Sequence, residues 1–405
     1  MTTMTRIRVG FNAWILANSD VRGLVRYTTE LLRALSRRND IEIVLFSPEP
    51  LHPPHLEGVR ARSVVFAADR ETLWVDLALP RKLREWDIDI FHAPADRGLP
   101  LPKPCPFVVT VHESYERTYW RELFPTAKSR LWYWKYELAN YYGADAVLTV
   151  SETTRRKLVD LKVARELQCH RVYLASAPEF QAASDPGDAD ILRKYDLRLP
   201  YVLYVGGYDA RKNVDALVQA FDAVNCQDRQ LAIVAKKQWE HPSLLDRWKQ
   251  LSCFPTLRFI ETSPNELPAL YRQADYLVNP SLWESFSLPL VEAMACGAPV
   301  LCSNRTALPE IAGDAAEYFD PDNRGELVRW LQRFATDGEL KARLRQKGFN
   351  RAREFSWDAT AEQTVAVYRA VLGRKSGQEQ RHESQRAPQL DRSPDITAVT
   401  AEWYR

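Results

Sequence analysis

Several features that would assign a chain to a class at once are missing from this 405-residue sequence. Its six cysteines form no C-x-x-C pair and show no Cys/His spacing of a zinc site, so we expect reduced core thiols of a cytosolic protein. No run of about 18 apolar residues occurs, and "MTTMTRIRVGFNAW" (1–14) passes directly into a strand-like run, so we expect neither a membrane span nor export. The formal net charge of +2 gives no global case for nucleic-acid binding.

Short apolar or β-branched runs alternate with longer amphipathic segments along most of the chain. This alternation predicts an α/β protein in which parallel strands are covered by helices on both faces. Predicted strands lie at 7–12, 41–46, 88–93, 106–112 and 146–151, then at 201–206, 230–235, 256–261, 276–280 and 298–303, with helices at 22–38, 213–224, 264–274 and 288–296.

The alternation weakens over residues 176–190, which are rich in Pro, Ser, Ala and Asp, and this segment is interpreted as an interdomain linker. We predict two Rossmann-like lobes facing each other across a cleft, the first at 1–178 and the second at 190–355. Residues 374–405 are polar and poor in apolar side chains, which predicts a disordered tail.

Two glutamates flank the start of a predicted helix in "NPSLWESFSLPLVEAMACGAPVLCSN" (279–304). Pro289 suits the first helical turn, so the helix should begin near Leu288 and direct its free N–H groups into the cleft. Glu284 precedes this start and Glu292 lies one turn inside it. Carboxylates accept hydrogen bonds from sugar hydroxyls and a helix N-terminus binds phosphate, so the pattern predicts a sugar nucleotide. Alternatively, Glu292 complements the helix dipole and Glu284 is a solvated loop residue.

The segment "PSLWESFSLPLVEAMACGAPV" (280–300) resembles the E-x7-E signature of the retaining family-4 glycosyltransferases, usually P-S-x-x-E-G-F-G-L-P-x-x-E-A-M-A-C-G-x-P-V. The resemblance continues through "LPEIAGDAAEYFDPDN" (308–323) and covers nearly the whole chain to about residue 373. It implies the GT-B fold, with two Rossmann-like doubly wound lobes facing across a cleft. It also implies that a closing helix at 357–373 returns to the first lobe.

By this resemblance, Glu284 contacts the transferred sugar and Glu292 holds the ribose hydroxyls of the donor. Ser285 and Ser287 stand where the family usually has glycine. A serine at the second position costs free energy if the backbone there needs a positive φ. In the family, backbone amides at this place bind hydroxyls of the transferred sugar. The donor-binding residues implied here are Ser285, Phe286, Ser287 and Leu288.

The second lobe opens with "YVLYVGGYDARKN" (201–213), in which Gly206 and Gly207 precede Arg211, Lys212 and a predicted N-cap at Asn213. Cations at a helix N-terminus oppose the helix dipole by roughly 0.3–1 kcal/mol each, so this position favours a bound anion. The segment resembles the family's "VG…KN" element, whose lysine binds the diphosphate. Many members carry an arginine directly after the first glycine, and Arg211 is the candidate to replace it here.

The first lobe carries two further segments of the family. "VVTVHESYER" (108–117) resembles V-T-x-H-D, whose histidine touches the transferred sugar, which implies that role for His112; Glu113 replaces the usual aspartate. A lone histidine at a strand end is otherwise more often a structural hydrogen-bonding residue. "SDVRGLVRYTTELL" (19–32) resembles the G-G-I-G-R-Y loop, whose glycine amides approach the phosphate, and only Gly23 remains of its glycines.

The resemblance implies retention of anomeric configuration. No D-x-D segment follows any strand predicted above, so we expect neither a metal ion nor a cofactor besides the donor substrate. Positive charge from Lys212, Arg211 and the helix start at Leu288 would act in place of the metal. The expected chemistry is a front-face substitution through an oxocarbenium-like state, in which the departing phosphate takes the acceptor proton.

Residues 117–142 mix tyrosines, tryptophans and basic residues on a predicted helix. This composition suits a peripheral contact with an anionic membrane on its cytoplasmic face, although the same helix could simply cover the sheet. "RKN" variants of the family are often mannosyltransferases, so GDP-mannose is the first donor considered, with a growing polysaccharide or lipid-linked glycan as acceptor. The alternatives are a non-catalytic nucleotide-sugar-binding subunit and a sugar-nucleotide epimerase of the same fold.

Overall fold

The computed structural model describes residues 6–17, 23–66, 74–95, 99–100, 103–112, 126–133, 143–162, 164–224, 228–235 and 242–384. Within these residues the chain forms two separate sheets, and every strand pairing in them is parallel. This confirms the predicted α/β class.

The first sheet has the strand order β3-β2-β1-β4-β5-β6-β7 and the second has the order β10-β9-β8-β11-β12-β13. The strands of the first sheet are β1 (Ile7–Asn12), β2 (Ile41–Ser47), β3 (Arg62–Val65), β4 (Ile90–Ala93), β5 (Phe107–Val111), β6 (Ala146–Thr149) and β7 (Cys169–Arg171). Those of the second are β8 (Tyr201–Val205), β9 (Gln230–Val234), β10 (Leu257–Ile260), β11 (Tyr276–Asn279), β12 (Val300–Ser303) and β13 (Ala316–Phe319).

Helices cover both sheets, as continuous apolar strands require. All five residues of β5 are buried, and so are all five of β9, because a strand covered on both faces has no side open to water. The α-helices of the described residues are α1 (Gly23–Ser36), α2 (Leu79–Glu85), α3 (Ala127–Tyr133), α4 (Glu152–Asp160), α5 (Asp188–Lys194), α6 (Val214–Val224), α7 (Pro242–Trp248), α8 (Leu267–Gln273), α9 (Leu288–Cys296), α10 (Leu308–Ala312), α11 (Arg324–Thr336), α12 (Gly338–Arg353) and α13 (Trp357–Ser384).

Three strands were not predicted from the sequence. β3 is a sheet-edge strand with mostly exposed side chains, β7 is three residues long, and β13 begins directly after a short helical turn. Edge strands lack the continuous apolar run by which a buried parallel strand is recognised. They therefore give little signal in the sequence.

The last helix differs from the expectation at its carboxyl end. α13 begins at Trp357 and continues to Ser384, so residues 374–384, predicted as disordered, are helical, and the rest of the tail lies outside the described residues. Extending an existing helix needs no new nucleus, and the Arg, Lys, Gln and Glu residues of this segment are good helix formers. α13 returns to the first lobe, where the Tyr368 hydroxyl lies 2.6 Å from Nδ1 of His92. Within the described part of the chain, no helix is both long and apolar enough to cross a membrane.

Two other predicted segments are described only in part. α5 begins at Asp188, inside the predicted linker, and Arg272 of α8 binds the Asp188 carboxylate, so this end of the linker packs on the second lobe. Of the proposed membrane-contact segment 117–142, the structure describes 126–133, which include α3.

Five of the six cysteines are described, and all five are free and buried, as expected: Cys105, Cys169, Cys253, Cys296 and Cys302.

Each sheet reverses its strand order at one place, between β1 and β4 in the first lobe and between β8 and β11 in the second. Ligands of open α/β sheets bind outside the carboxyl ends of the strands at such a reversal. In the second lobe these ends lead to Gly206 and to the loop that carries Glu284. In the first lobe they lead toward α1 and to Pro94, beside His112.

Candidate functional site

The loops after β8 and β11 are joined by direct hydrogen bonds. The amide of Leu282 donates to the carbonyl of Arg211 (2.7 Å), and the side-chain amide of Asn213 donates to the carbonyl of Pro280 (3.2 Å). Asn213 has a left-handed backbone (φ 53°) immediately before α6. Two segments that the sequence analysis singled out separately therefore form one surface.

Lys212 and Glu284 form an ion pair within this surface. Nζ of Lys212 lies 2.6 Å from Oε1 of Glu284, and the Ser281 hydroxyl donates to the same oxygen at 2.8 Å. Burial opposes ionisation of Glu284, but attraction to Lys212 and Arg211, together with these hydrogen bonds, lowers the pKa of its carboxyl below the usual value. Arg211 is itself paired with Asp209, with Nε and Oδ1 3.0 Å apart. The structure thus brings together the predicted cations and the predicted sugar-binding carboxylate.

The two glycines after β8 allow a close approach of the chain to itself. A Cβ atom at Gly206 would lie 2.6 Å from the hydroxyl oxygen of Tyr204, and this hydroxyl donates to the carbonyl of Gly207. A Cβ atom at Gly207 would lie 2.9 Å from a carboxylate oxygen of Asp209. A larger residue at Gly206 would have to move the buried Tyr204 side chain, whereas one at Gly207 would have to move the Asp209 carboxylate.

The start of α9 confirms the predicted helix boundary and the conformational expectation for Ser287. Ser287 has φ 78°, the left-handed region that glycine adopts without cost, and the side-chain amide of Asn279 donates to its hydroxyl at 3.0 Å. The Ser287 side chain does not cap α9, and Pro289 occupies the first turn. A Cβ atom at Gly23, the first residue of α1, would lie 3.8 Å from Cδ1 of Leu288. The start of α1 therefore lies against the start of α9.

Ser285 and Phe286 are both buried next to this helix start. The Ser285 hydroxyl has no hydrogen-bond partner among the described residues. The Phe286 ring packs against Tyr173 and Phe355, with centroids 6.3 and 5.8 Å away. Because its side chain faces this aromatic cluster, Phe286 can reach a ligand only through its backbone.

Glu292 is 2% exposed and uses both carboxylate oxygens. Arg26 of α1 binds Oε1, and the hydroxyl of Tyr271 in α8 donates to Oε2 at 2.9 Å. The Arg26 guanidinium also lies 4.9 Å from the centroid of the Phe180 ring. Burial disfavours the charged guanidinium, but the combined attraction of Glu292 and its neighbours raises the pKa of Arg26 above the ordinary value.

The sequence analysis assigned no role to Arg26 or Tyr271. Arg26 lies in the segment that resembles G-G-I-G-R-Y, where only the glycines were considered. Arg26 stands at the arginine of that motif, which is a signal that could have marked it as a site residue. Its partner Glu292 is 266 positions away, and Tyr271 is 21 positions from Glu292, so local patterns do not reveal the contacts themselves.

His112 follows β5 in the first lobe. Its Nε2 lies 2.9 Å from the carbonyl oxygen of Pro94, which fixes the proton on this nitrogen, and the edge-to-face Tyr27 ring is 4.4 Å away. Burial lowers the pKa of His112 to about 4, so the ring is neutral at pH 7. Glu113, the next residue, lies outside the described residues. Tyr27 belongs to α1, the helix that also supplies Arg26.

A buried polar network lies beneath His112 and was missed by the sequence analysis. The Thr110 hydroxyl is 2.8 Å from the hydroxyl of Tyr27 and 2.8 Å from Nε2 of His92. Nδ1 of His92 forms a hydrogen bond with the hydroxyl of Tyr368 in α13. The closing helix is therefore connected by hydrogen bonds to the side chain that packs against His112.

One Asp-x-Asp segment follows a strand that the sequence analysis did not predict. Asp320 and Asp322 come directly after β13, and Nη2 of Arg305 pairs with both carboxylates, at 2.9 and 2.5 Å. Across the described residues, no group of three or more His, Cys, Asp or Glu side chains is placed to hold a metal ion. Metal independence stays a prediction.

Comparison with known proteins connects this geometry to a family. Residues 21–174 match the model of Glycosyltransferase Family 4, and residues 193–351 match that of Glycosyl transferases group 1. The O-antigen chain mannosyltransferase B of Escherichia coli is 28% identical over 378 residues, which cover 86% of this chain and 96% of the relative.

Solved structures share the fold at lower identity. Sucrose-phosphate synthase from Thermosynechococcus elongatus has a TM-score of 0.71 at 21% identity, covering 91% of this chain and 100% of the other. HepE of Anabaena in complex with UDP-glucose has a TM-score of 0.67 at 15% identity, covering 92% and 100%. With both lobes matched by family models and the site at the facing strand ends, this chain belongs to the family-4 glycosyltransferases and has the GT-B fold.

Proposed function

We propose that this protein transfers mannose from GDP-mannose to a growing polysaccharide or lipid-linked glycan, with retention of configuration and without a metal ion. The observation that carries the proposal is the Lys212–Glu284 pair at the strand-order reversal of the second sheet, beside the start of α9. A cation and a carboxylate beside a helix start are groups suited to binding a diphosphate joined to a sugar, which supports the proposal. The 28% identity to an O-antigen chain mannosyltransferase supports mannose as the transferred sugar and a polysaccharide as the acceptor.

Each group has a role in the proposed reaction. Lys212, Arg211 and the amides at the start of α9 bind the diphosphate, Glu292 accepts hydrogen bonds from the ribose, and Glu284 accepts them from the transferred sugar. The bond from the anomeric carbon to the diphosphate breaks, its electron pair leaves with the phosphate, and the acceptor oxygen bonds to the same face. The acceptor proton passes to the departing phosphate oxygen. Lys212 stabilises the negative charge that grows there.

His112 takes part as a neutral ring. Its Nε2 proton is held by Pro94 and its pKa is about 4, so His112 cannot act as a proton donor near pH 7. We assign it a contact with the transferred sugar, positioned by the Tyr27 ring.

The proposal is tested by turnover of purified protein with GDP-mannose or UDP-glucose and a membrane-glycan extract as acceptor. The expected result is nucleotide release with GDP-mannose, together with a larger mannosylated product whose new linkage is α by NMR, and EDTA should leave the rate unchanged. Donor binding without turnover would indicate a non-catalytic subunit. Conversion of the sugar nucleotide without acceptor would indicate an epimerase. Loss of activity in EDTA, restored by Mg²⁺ or Mn²⁺, would contradict the metal-independent part.

A membrane contact through residues 117–142 belongs to the same proposal, because a lipid-linked acceptor is presented at the cytoplasmic face. Each basic residue near an anionic surface contributes about 1 kcal/mol of attraction, so binding should be sensitive to salt. Co-sedimentation with phosphatidylglycerol vesicles at low salt, lost at high salt, is the expected result. Failure to co-sediment at low salt would mean that the segment covers the sheet and does not bind membranes.

A further inference from the structure

Arg26 crosses from the first lobe to the second to reach Glu292. It lies on α1, while Glu292 and Tyr271 lie on α9 and α8. The Arg26 side chain is 11% exposed and is held between the Glu292 carboxylate and the Phe180 ring. A guanidinium buried at this place is stabilised only while both lobes are in contact.

The hydrogen-bonding capacity of Glu292 is only half used by these partners. An ionised carboxylate accepts at about four lone-pair positions. Arg26 takes one on Oε1 and Tyr271 takes one on Oε2, so the described residues leave one position on each oxygen. Two neighbouring hydroxyls, such as the 2′ and 3′ hydroxyls of a ribose, match this remaining capacity.

We infer that Arg26 is a positioning residue for the donor nucleotide: it holds the Glu292 carboxylate in one orientation, so that the ribose hydroxyls are bound only when the two lobes meet. This inference rests on the proposed function. Without Arg26, Tyr271 is the one partner among the described residues that still holds the Glu292 carboxylate, so its oxygens are no longer fixed toward a ligand. Removing Arg26 should therefore weaken recognition of the ribose, although Arg26 itself does not touch the donor.

The test compares GDP with 2′,3′-dideoxy-GDP by calorimetry on the full chain. Wild-type protein should bind GDP about 10-fold more tightly than the dideoxy form, the scale for hydrogen bonds to a charged group. Arg26→Ala should lose this preference, with GDP weakened about 10-fold and dideoxy-GDP changed about 2-fold or less. Arg26→Lys restores a cation and should recover part of the preference. If the alanine variant does not fold, the same comparison is made with Arg26→Lys, whose preference for GDP should lie below that of the wild type.

Two controls separate positioning from general loosening of the lobes. Glu310 of α10 binds the first lobe elsewhere, accepting from the backbone amides of Glu152 (2.6 Å) and Thr153 (2.8 Å), so Glu310→Gln should affect both nucleotides equally. Arg37→Ala removes only an exposed pair with Asp358 and should leave binding unchanged.

The outcomes distinguish this inference from the proposed function. Equal weakening of both nucleotides in Arg26→Ala, or an unchanged preference for GDP, would overturn the positioning role, as would a wild-type protein that binds both forms equally. If wild-type protein binds UDP rather than GDP, only the proposed donor is wrong, and the same comparison is made with UDP and 2′,3′-dideoxy-UDP. A wild-type protein that binds neither nucleotide would refute the proposed function, and this inference with it.

Discussion

Nζ of Lys212 lies 2.6 Å from Oε1 of Glu284, so the cation expected at the diphosphate is paired with the carboxylate expected at the sugar. The Lys212 side chain is 16% exposed and that of Glu284 is 8% exposed. Removing one partner of a buried pair leaves an uncompensated charge, which destabilises a protein by about 3–5 kcal/mol. A substitution at either residue therefore changes both the chemistry and the folding, and the two effects must be measured separately.

Lys212→Ala should lower kcat by about 10² or more, because it removes a preorganised cation from the leaving diphosphate. It should also lower the free energy of unfolding, measured in urea. Adding Glu284→Gln should recover much of that stability, because the lone buried charge is gone, without recovering kcat. Lys249→Ala, which removes a surface pair with Asp246, is the matched control and should change neither quantity. A near-normal kcat in folded Lys212→Ala would make Lys212 a structural residue.

Glu284→Gln and Glu292→Gln should affect different kinetic constants. In the proposed reaction Glu292 binds the ribose, which is the same in the ground and transition states, so its loss should raise the donor KM with little change in kcat. In the same proposal Glu284 contacts the sugar whose ring flattens during transfer, so its loss should mainly lower kcat. Steady-state kinetics with varied donor measure both constants. Wild-type kcat and donor KM in both variants would contradict the assignment of residues 279–304 as a donor-binding segment.

The sequence predicts the parts of this site that local patterns determine. The strand ends, the helix start at Leu288 and the spacing of Glu284 from Glu292 follow from neighbouring residues, and the family resemblance adds Lys212. Arg26, Tyr271 and the network around His92 depend on how the two lobes and α13 pack together. Their partners are between 18 and 276 positions away in the chain, so only the folded structure reveals them.

Ser287 shows a case in which the sequence raised a question that the structure answers. The family glycine is replaced, yet the left-handed backbone is kept at φ 78°, and the hydrogen bond from Asn279 stabilises it. The strain was therefore predictable from the motif. The compensating bond was not, because Asn279 ends the preceding strand, where the sequence analysis saw only an apolar run.

Substitutions at Ser287 should favour glycine over alanine. Alanine keeps the strained backbone and loses the Asn279 bond, whereas glycine loses the bond but relieves a strain of about 1–2 kcal/mol. Ser287→Gly should thus be more stable than Ser287→Ala by about 1 kcal/mol in urea unfolding, which is also the order expected at a helix N-cap. Equal stability, or a more stable alanine variant, would show that the backbone relaxes to a negative φ.

The buried histidines should make the protein less stable as the pH falls from about 6.5 toward 4. Burial lowers the pKa of His112 to about 4 and that of His92 to about 3, while an unfolded histidine titrates near 6.5. Between these values the unfolded chain takes up protons that the folded chain does not, so each histidine lowers the free energy of unfolding by at most about 1.4 kcal/mol per pH unit. The carboxylates with lowered pKa values, such as Glu284, add their own loss mainly below their unfolded pKa of about 4–4.5. Burial raises the pKa of Glu30, which acts in the opposite direction, so the histidines are identified by comparing a variant with the wild type between pH 5 and 6.5. In His112→Gln an amide can still donate to the Pro94 carbonyl but does not titrate, so urea unfolding across this interval should show a slope smaller by about one proton. An unchanged slope would mean that His112 takes up its proton equally in the folded and unfolded chains, and its assignment as a neutral ring at the site would then be wrong.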